Sequence, residues 1–272
     1  MRDDCAAELV SARAELPAES IFWSIERAHL AEAPPADDDD DADATGTEIT
    51  DPFANGLVAS ACATIGYDPL GGFAKRTMDI VIASLALLVL GPLMLVVTAL
   101  IRMFLGGPVV FTQERVGFAG TIFTCYKFRT MVVNADEVLR RHLAANPEVA
   151  LEWRATRKLR NDPRVTCLGN ILRKSSIDEL PQLINVLRGE MSVVGPRPVV
   201  IDELRYYGRH LRYYLKARPG LTGMWQTGGR NQLDYRGRVA RDSFYVRNWS
   251  TRLDLAMLAK TLPAVLNFNE TA

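Results

Sequence analysis

Ile80 to Ile101 reads IVIASLALLVLGPLMLVVTALI, 22 residues without a charge. As a helix it is about 33 Å long, enough to cross the ~30 Å hydrocarbon layer of a bilayer. Gly91-Pro92 stands at its middle. An interior proline removes a backbone hydrogen bond and costs about 3 kcal/mol, so a kink is predicted there. Two membrane arrangements satisfy this pattern: a kinked span, and a helix-break-helix that enters and leaves on one face with limbs of about 16 Å each. Lys75 and Arg76 precede the segment and Arg102 follows it. Basic residues on both flanks favour re-entry from the cytoplasmic side, whereas an acidic tail outside and a basic half inside would suit a span. A buried helix of a soluble core is the third reading.

The overall charge of zero conceals two halves. Before Lys75 the chain carries sixteen acidic residues against three Lys and Arg, which leaves a surplus of thirteen positive charges in the remainder. Residues 1–70 contain the run Asp37–Asp41 with Asp43, Pro34, Pro35 and many alanines, and too few periodic apolar residues for a core. A mostly disordered acidic region is expected, with one short helix around Leu16–Leu30. A basic start and an apolar core, the marks of a secretion signal, are missing. Asp41-Ala42-Asp43 has the Asp-x-Asp form of a metal-holding pair, but inside a run of aspartates a solvated charge stretch explains it as well. Cys5, Cys62, Cys125 and Cys167 form no CxxC pair and suit reduced thiols. His29, His142 and His210 are isolated, and no P-loop or dinucleotide fingerprint appears.

Downstream of the apolar segment, Pro108–Gln113 and Thr121–Lys127 alternate apolar and polar residues around Gly117–Gly120, which predicts a hairpin. It ends on Lys127-Phe128-Arg129, cations that suit either phosphate or a solvated edge. Residues 134–158 read as helix interrupted by Pro147. Residues 199–216 read as another, carrying Tyr206, Tyr207, Tyr213 and Tyr214 among arginines, a mixture suited to lipid headgroups and equally to ordinary packing. Arg218-Pro219-Gly220 makes a stiff turn, and a guanidinium held there matches phosphate oxygens. A glycine-rich loop, Gly223–Gly229, follows. Leu253, Met257, Leu258 and Leu262 form a closing amphipathic stripe.

Residues 173–198, RKSSIDELPQLINVLRGEMSVVGPRP, set an acidic pair among cations. Leu180, Leu183, Ile184 and Leu187 recur at helical spacing and Gly189 ends the run as a C-cap. Pro181 is comfortable only near a helix start, which puts that start close to Asp178. Asp178 then reads as an N-cap, or as a carboxylate kept ionised by the helix terminus and nearby arginines, able to attack or to hold a metal beside phosphates.

Three blocks, DPRVTCLGNILRKSSIDELPQLINVLRGEMSVVGPRP (Asp162–Pro198), YKFRTM (Tyr126–Met131) and ARPGLTGMWQTGGRN (Ala217–Asn231), resemble the bacterial sugar transferase family. These are the monotopic phosphoglycosyl transferases that start exopolysaccharides on a polyprenyl phosphate, and the likeness runs from about Phe73 to the C-terminus. It implies an α+β, mainly helical fold: a membrane-inserted broken, re-entrant helix at 71–106, then a cytosolic catalytic domain at 107–272 with amphipathic surface helices and a short hairpin, beyond the acidic region 1–70. It further implies transfer of a sugar 1-phosphate from a UDP-sugar, glucose or galactose foremost, to undecaprenyl phosphate on the cytoplasmic face of the inner membrane. Asp178 would be the nucleophile and Glu179 a ligand of Mg2+. Arg173, Arg197, Arg218 and Lys127 would bind substrate phosphates. Membrane lipids are expected partners and nucleic acid is not; a homo-oligomer is left open. Cys167 stands where many relatives have proline. A non-catalytic membrane-anchored scaffold and a nucleic-acid binder are the competing classes, the latter disfavoured by the membrane segment and the lack of a helix-turn-helix or zinc motif.

Overall fold

A computed structural model describes residues 68–156, 159, 161–227 and 235–266. The acidic run, the helix expected at Leu16–Leu30, Cys5, Cys62 and the end of the glycine-rich loop lie outside the described residues. The expected mainly helical α+β architecture is observed.

The apolar segment lies within α1, Gly72–Leu105, 34 residues or about 51 Å. Its backbone stays helical through Gly91-Pro92, so the proline does not split it into two helices. One stripe, including Ala83, Met94, Val97 and Ile101, packs on the rest of the protein. The other faces remain bare: Leu88, Val89 and Leu95 are each more than 70% exposed. By length and composition this helix is long and apolar enough to cross a membrane.

The hairpin forms as its alternation predicts. β1 (Val110–Val116) and β2 (Ile122–Phe128) pair antiparallel, Val110 opposite Phe128, through a turn in which Ala119 and Gly120 adopt positive φ. α2 (Ala135–Ala145) and α3 (Pro147–Thr156) follow, separated at Pro147. α4 (Cys167–Lys174) is capped by Thr166, whose hydroxyl accepts from the Gly169 N–H. Cys167 is therefore the first helical residue, the position of a helix that tolerates proline best.

The central stretch departs from its expected form. A 3-10 turn spans Ile177–Glu179, and α5 begins only at Gln182 with Pro181 as its N-cap. Asp178 caps nothing. Because the helix starts late, its inner face is rotated: Leu183, Asn185 and Val186 are buried, whereas Ile184 and Leu187 of the expected stripe face outward. Gly189, at φ 86°, does end the helix. β3 (Ser192–Val194) then pairs in parallel with β4 (Gly220–Thr222). A Cβ on Gly220 would sit 2.1 Å from the Gly195 nitrogen, so only glycine allows this approach.

Between those strands the single helix expected at 199–216 is a 3-10 helix, Ile201–His210, followed by the short α6, Leu211–Leu215. Gly208, at φ 45° and ψ −128°, breaks the helical path. α7 (Met224–Thr227), α8 (Tyr235–Arg247) and α9 (Thr251–Leu266) complete the described chain. Leu253, Met257 and Leu258 pack in the core as their stripe suggests, and the Leu262 side chain lies outside the described set.

A buried polar network ties the base of α1 to the C-terminal helices. Lys75 Nζ lies 2.7 Å from Asp254 Oδ2 and 3.8 Å from Asp79 Oδ1, with all three side chains almost fully buried. Ser192 Oγ and the Val193 N–H donate to Asp79 Oδ1, while the Tyr245 hydroxyl and Trp249 Nε1 donate to Asp254. Lys75, which from its position reads as an interfacial cation, is instead an internal ion-pair partner.

Candidate active site

Lys127 projects from β2, two residues before the exit to Arg129 and Thr130. Thr130 is fastened to the start of α4: its carbonyl accepts from both the N–H and the hydroxyl of Thr166. A Cβ on Gly169 would strike that carbonyl at 1.9 Å, so the helix meets the strand at glycine contact distance. At the far end of α4, Arg173 Nε returns to donate to Thr130 Oγ1 at 2.9 Å.

The chain then reverses at Ser176, a non-glycine residue in the left-handed region, φ 57°. Such a conformation costs about 1–2 kcal/mol and persists only where the surroundings impose it. The reversal brings Asp178 and Glu179 back over β2. Lys127 Nζ lies 2.7 Å from Glu179 Oε1. Burial, and then the neighbouring Glu179, push the Asp178 carboxyl up to about 6, against the opposing pull of Lys127 and Arg173. Both carboxylates are half-buried and so remain reachable. Four of the residues singled out from sequence therefore meet in one place.

The other two stand elsewhere. Arg218 Nε donates to the Gly189 carbonyl at 2.8 Å, at the opposite end of α5. Arg76 donates to the Val186 and Leu187 carbonyls there as well, so two arginines close the helix C-terminus. Arg197 belongs to the Pro196–Pro198 turn, and its charge acts on Asp242, Arg115 and Tyr235. Asp242, buried and pushed up to about 7 by desolvation, accepts from the Tyr207 hydroxyl and the Arg197 backbone N–H. Arg115 donates to the Pro198 carbonyl, which fixes the same turn from the hairpin side.

Sequence reasoning passed over Asn185. Fully buried on α5, it accepts from the Tyr126 N–H at 3.1 Å and donates to the Thr124 carbonyl at 2.7 Å and to Glu190 at 2.6 Å. It thus sets the register of β2, and with it Lys127, against the segment that bears the carboxylates. An amide between apolar residues on a helix's inner face was the available signal, since a buried polar group must find partners.

Among the described residues no three His, Cys, Asp or Glu converge as a metal cage. Two adjacent carboxylates are nevertheless the donor set that suffices for Mg2+, which takes one or two carboxylates and completes its shell with water and substrate phosphates. Asp178 and Glu179 fit that description, Lys127 holding one Glu179 oxygen meanwhile.

Comparison with known proteins adds to this geometry. The family model for bacterial sugar transferases matches residues 70–268. The chain is 55% identical over 197 residues to the exopolysaccharide production protein ExoY of Rhizobium meliloti, covering 72% of this chain and 87% of that protein. It is 50% identical over 194 residues to an undecaprenyl-phosphate galactose phosphotransferase of Salmonella typhimurium, covering 71% of this chain and 40% of that one. With a UDP-glucose:undecaprenyl-phosphate glucose-1-phosphate transferase of Caulobacter vibrioides it shares 40% identity over 200 residues, 71% of this chain and 69% of the relative.

Proposed function

Since the chain belongs to the bacterial sugar transferase family and is a phosphoglycosyl transferase, we propose that it transfers a hexose 1-phosphate, glucose or galactose, from its UDP-sugar to undecaprenyl phosphate, releasing UMP. This would be the first membrane step of an exopolysaccharide. The observation that carries the reading is the convergence of Asp178, Glu179, Lys127 and Arg173 in a half-buried site on a domain that also carries the bare apolar α1.

Two anions must meet at a membrane face, and the cations beside the dyad address that repulsion. In the proposed mechanism an ionised Asp178 oxygen attacks the phosphorus that bears the sugar. The bond from that phosphorus to the UMP oxygen breaks, and UMP leaves with the electron pair. An oxygen of undecaprenyl phosphate then attacks the same phosphorus, the aspartyl–phosphorus bond breaks, and the carboxylate is restored. Lys127 and Arg173 bind phosphate oxygens and spread the developing charge. Glu179 would hold Mg2+, which supplies charge neutralisation across a diphosphate. For Arg218 the contacts support positioning of α5, and Arg197 anchors the Pro196–Pro198 turn through its backbone while its guanidinium is assigned to phosphate.

We infer the membrane arrangement from how α1 is fastened. Its first turns are held by Lys75, Arg76 and Asp79, and its last by Arg129, which donates to the Leu105 and Gly106 carbonyls. Both ends attach to one domain, which supports both ends lying on the cytoplasmic face, with α1 continuous through Gly91-Pro92 rather than divided into two limbs. Cysteines introduced at positions 60 and 110 should label equally from that side; opposite accessibility would overturn this placement.

The decisive experiment incubates membranes with donor alone and examines the quenched protein by mass spectrometry. A phosphohexose adduct on Asp178 is expected, with UMP released in equal amount and both suppressed by a Mg2+ chelator. Absence of any adduct together with absence of UMP release would favour the scaffold reading.

A further inference from the structure

Three elements converge on an exposed cationic patch outside the catalytic site. Arg209 lies in the last turn of the 3-10 helix, Arg212 lies within α6 with Lys216 directly after it, and Arg247 ends α8; all four are exposed. The nearness of the three arginines is shown by shared neighbours. The Arg212 and Arg247 guanidinium groups lie over one ring, that of Tyr213, at 4.8 and 5.9 Å from its centroid. Burial, and then the charges of Arg209, Arg247 and Arg212, hold His210 below the usual imidazole range. Among the described residues none of the four cations forms an ion pair. Like charges gathered without a counter-charge create a positive potential that attracts an anion.

The point where the amino-terminal region joins the fold lies at this same place. The Leu70 N–H donates to the Lys216 carbonyl at 3.0 Å. Everything before Asp68 is thus tethered beside the patch, and that part of the sequence contains Asp37–Asp41 and Asp43, six carboxylates in seven residues. The 25 residues from Asp43 to Asp68 span on the order of 80 Å when extended, so reach is ample.

We propose that the acidic stretch Asp37–Asp43 docks in cis on the patch formed by Arg209, Arg212 and Arg247. Guanidinium groups accept carboxylates in a planar, bidentate manner, and stacking on Tyr213 pre-orients two of them. Each exposed pair is weak, but tethering raises the local carboxylate concentration to the order of millimolar, so several pairs act together. The contact is accordingly salt-sensitive and displaceable, with anionic lipid headgroups as the rival for the same cations. It does not depend on the transfer chemistry.

The test uses the full chain in membranes, with a photoreactive benzophenone side chain at position 216 and fragmentation to locate adducts. Adducts within residues 30–50 of the same molecule are expected, falling about fivefold or more in 0.5 M NaCl as screening sets in. They should fall as far when the six aspartates are changed to Asn, or when Arg209, Arg212 and Arg247 are changed to Gln. Adducts confined to residues near 68, adducts to phosphatidylglycerol in place of the tail, or adducts indifferent to both sets of substitutions would overturn the proposal. Adducts joining isotopically light to heavy chains in a mixed sample would overturn docking in cis.

Discussion

The two ends of α5 are built on opposite principles. At its front, Asp178 and Glu179 are half-buried and face cations that are themselves partly exposed; the Lys127–Glu179 pair leaves each side chain 30% accessible. At its rear, Arg76 and Arg218 close the last carbonyls, and beyond them Lys75, Asp79 and Asp254 are shut away from water. The front is thus reachable from solvent, as the proposed site requires. At the rear, removing one member of the buried ion-pair network would leave an uncompensated charge indoors. The carboxylates stand just ahead of a helix whose opposite end is locked to α1, so the candidate site is held at a fixed height relative to the apolar segment.

The largest effect should come from the front. Asp178→Asn keeps the shape of the side chain and removes the attacking anion, so transfer should fall at least about 10⁴-fold with membrane association unchanged. Appreciable turnover by this variant, measured as UMP release, would end the nucleophile assignment. At the rear the loss should appear as stability instead. Lys75→Met strands Asp254 and should destabilise the fold by about 3–5 kcal/mol in denaturant titrations, while activity per folded molecule changes less than about twofold. If kcat fell with stability intact, the separation of the two ends would be false.

A smaller, pH-dependent effect sharpens the contrast. With its pKa raised to about 6, Asp178 in its proposed role as nucleophile has to lose its proton, so kcat should fall nearly tenfold per unit below pH 6 and level off above pH 7. The same shift has a stability sign. A carboxyl raised in the folded state favours folding most when protonated, below about pH 4, and this contribution disappears as pH rises through 6. Asp178→Asn lacks that dependence. It should be the more stable protein at pH 8, by up to about 3 kcal/mol at ~1.4 kcal/mol per unit, and should match the native chain near pH 4. Equal stability at both pH values would remove desolvation as the cause of the shift.

What sequence could disclose here divides along contact range. The long apolar helix, the hairpin, the C-cap at Gly189 and the adjacency of Asp178 to Glu179 are local, readable from periodicity and turn chemistry within a short window. Lys75 and Asp254 are 179 residues apart, and no window joins them; Lys75 therefore looked like a flanking interfacial charge. The β3–β4 pairing likewise unites segments on either side of a long crossover. The face of α5 was misjudged for a local reason, since the 3-10 turn at Ile177–Glu179 delays the helix and rotates its inner side toward Asn185 and Val186. Arg218 and Arg173 sit in equally basic surroundings in the sequence, and only the fold sends one to a backbone carbonyl and the other to the dyad.

Ser176 offers the finest probe of how the front is set. Its φ of 57° is imposed by the reversal that returns Asp178 to β2, and glycine meets that conformation without the Cβ penalty. Ser176→Gly relieves about 1–2 kcal/mol of strain but adds freedom to the unfolded chain, so a net gain of about 0.5–1 kcal/mol is expected. Were the strained turn merely tolerated, activity would follow stability or stay level. Because a residue confined to one conformation holds the carboxylate two positions on, loosening it should lower kcat severalfold with KM nearly unchanged, as the geometry of attack spreads while substrate contacts at Lys127 and Arg173 persist. A stabilised variant with undiminished kcat would show that the reversal serves the fold alone and that Asp178 is aimed from β2, through the Asn185 clamp.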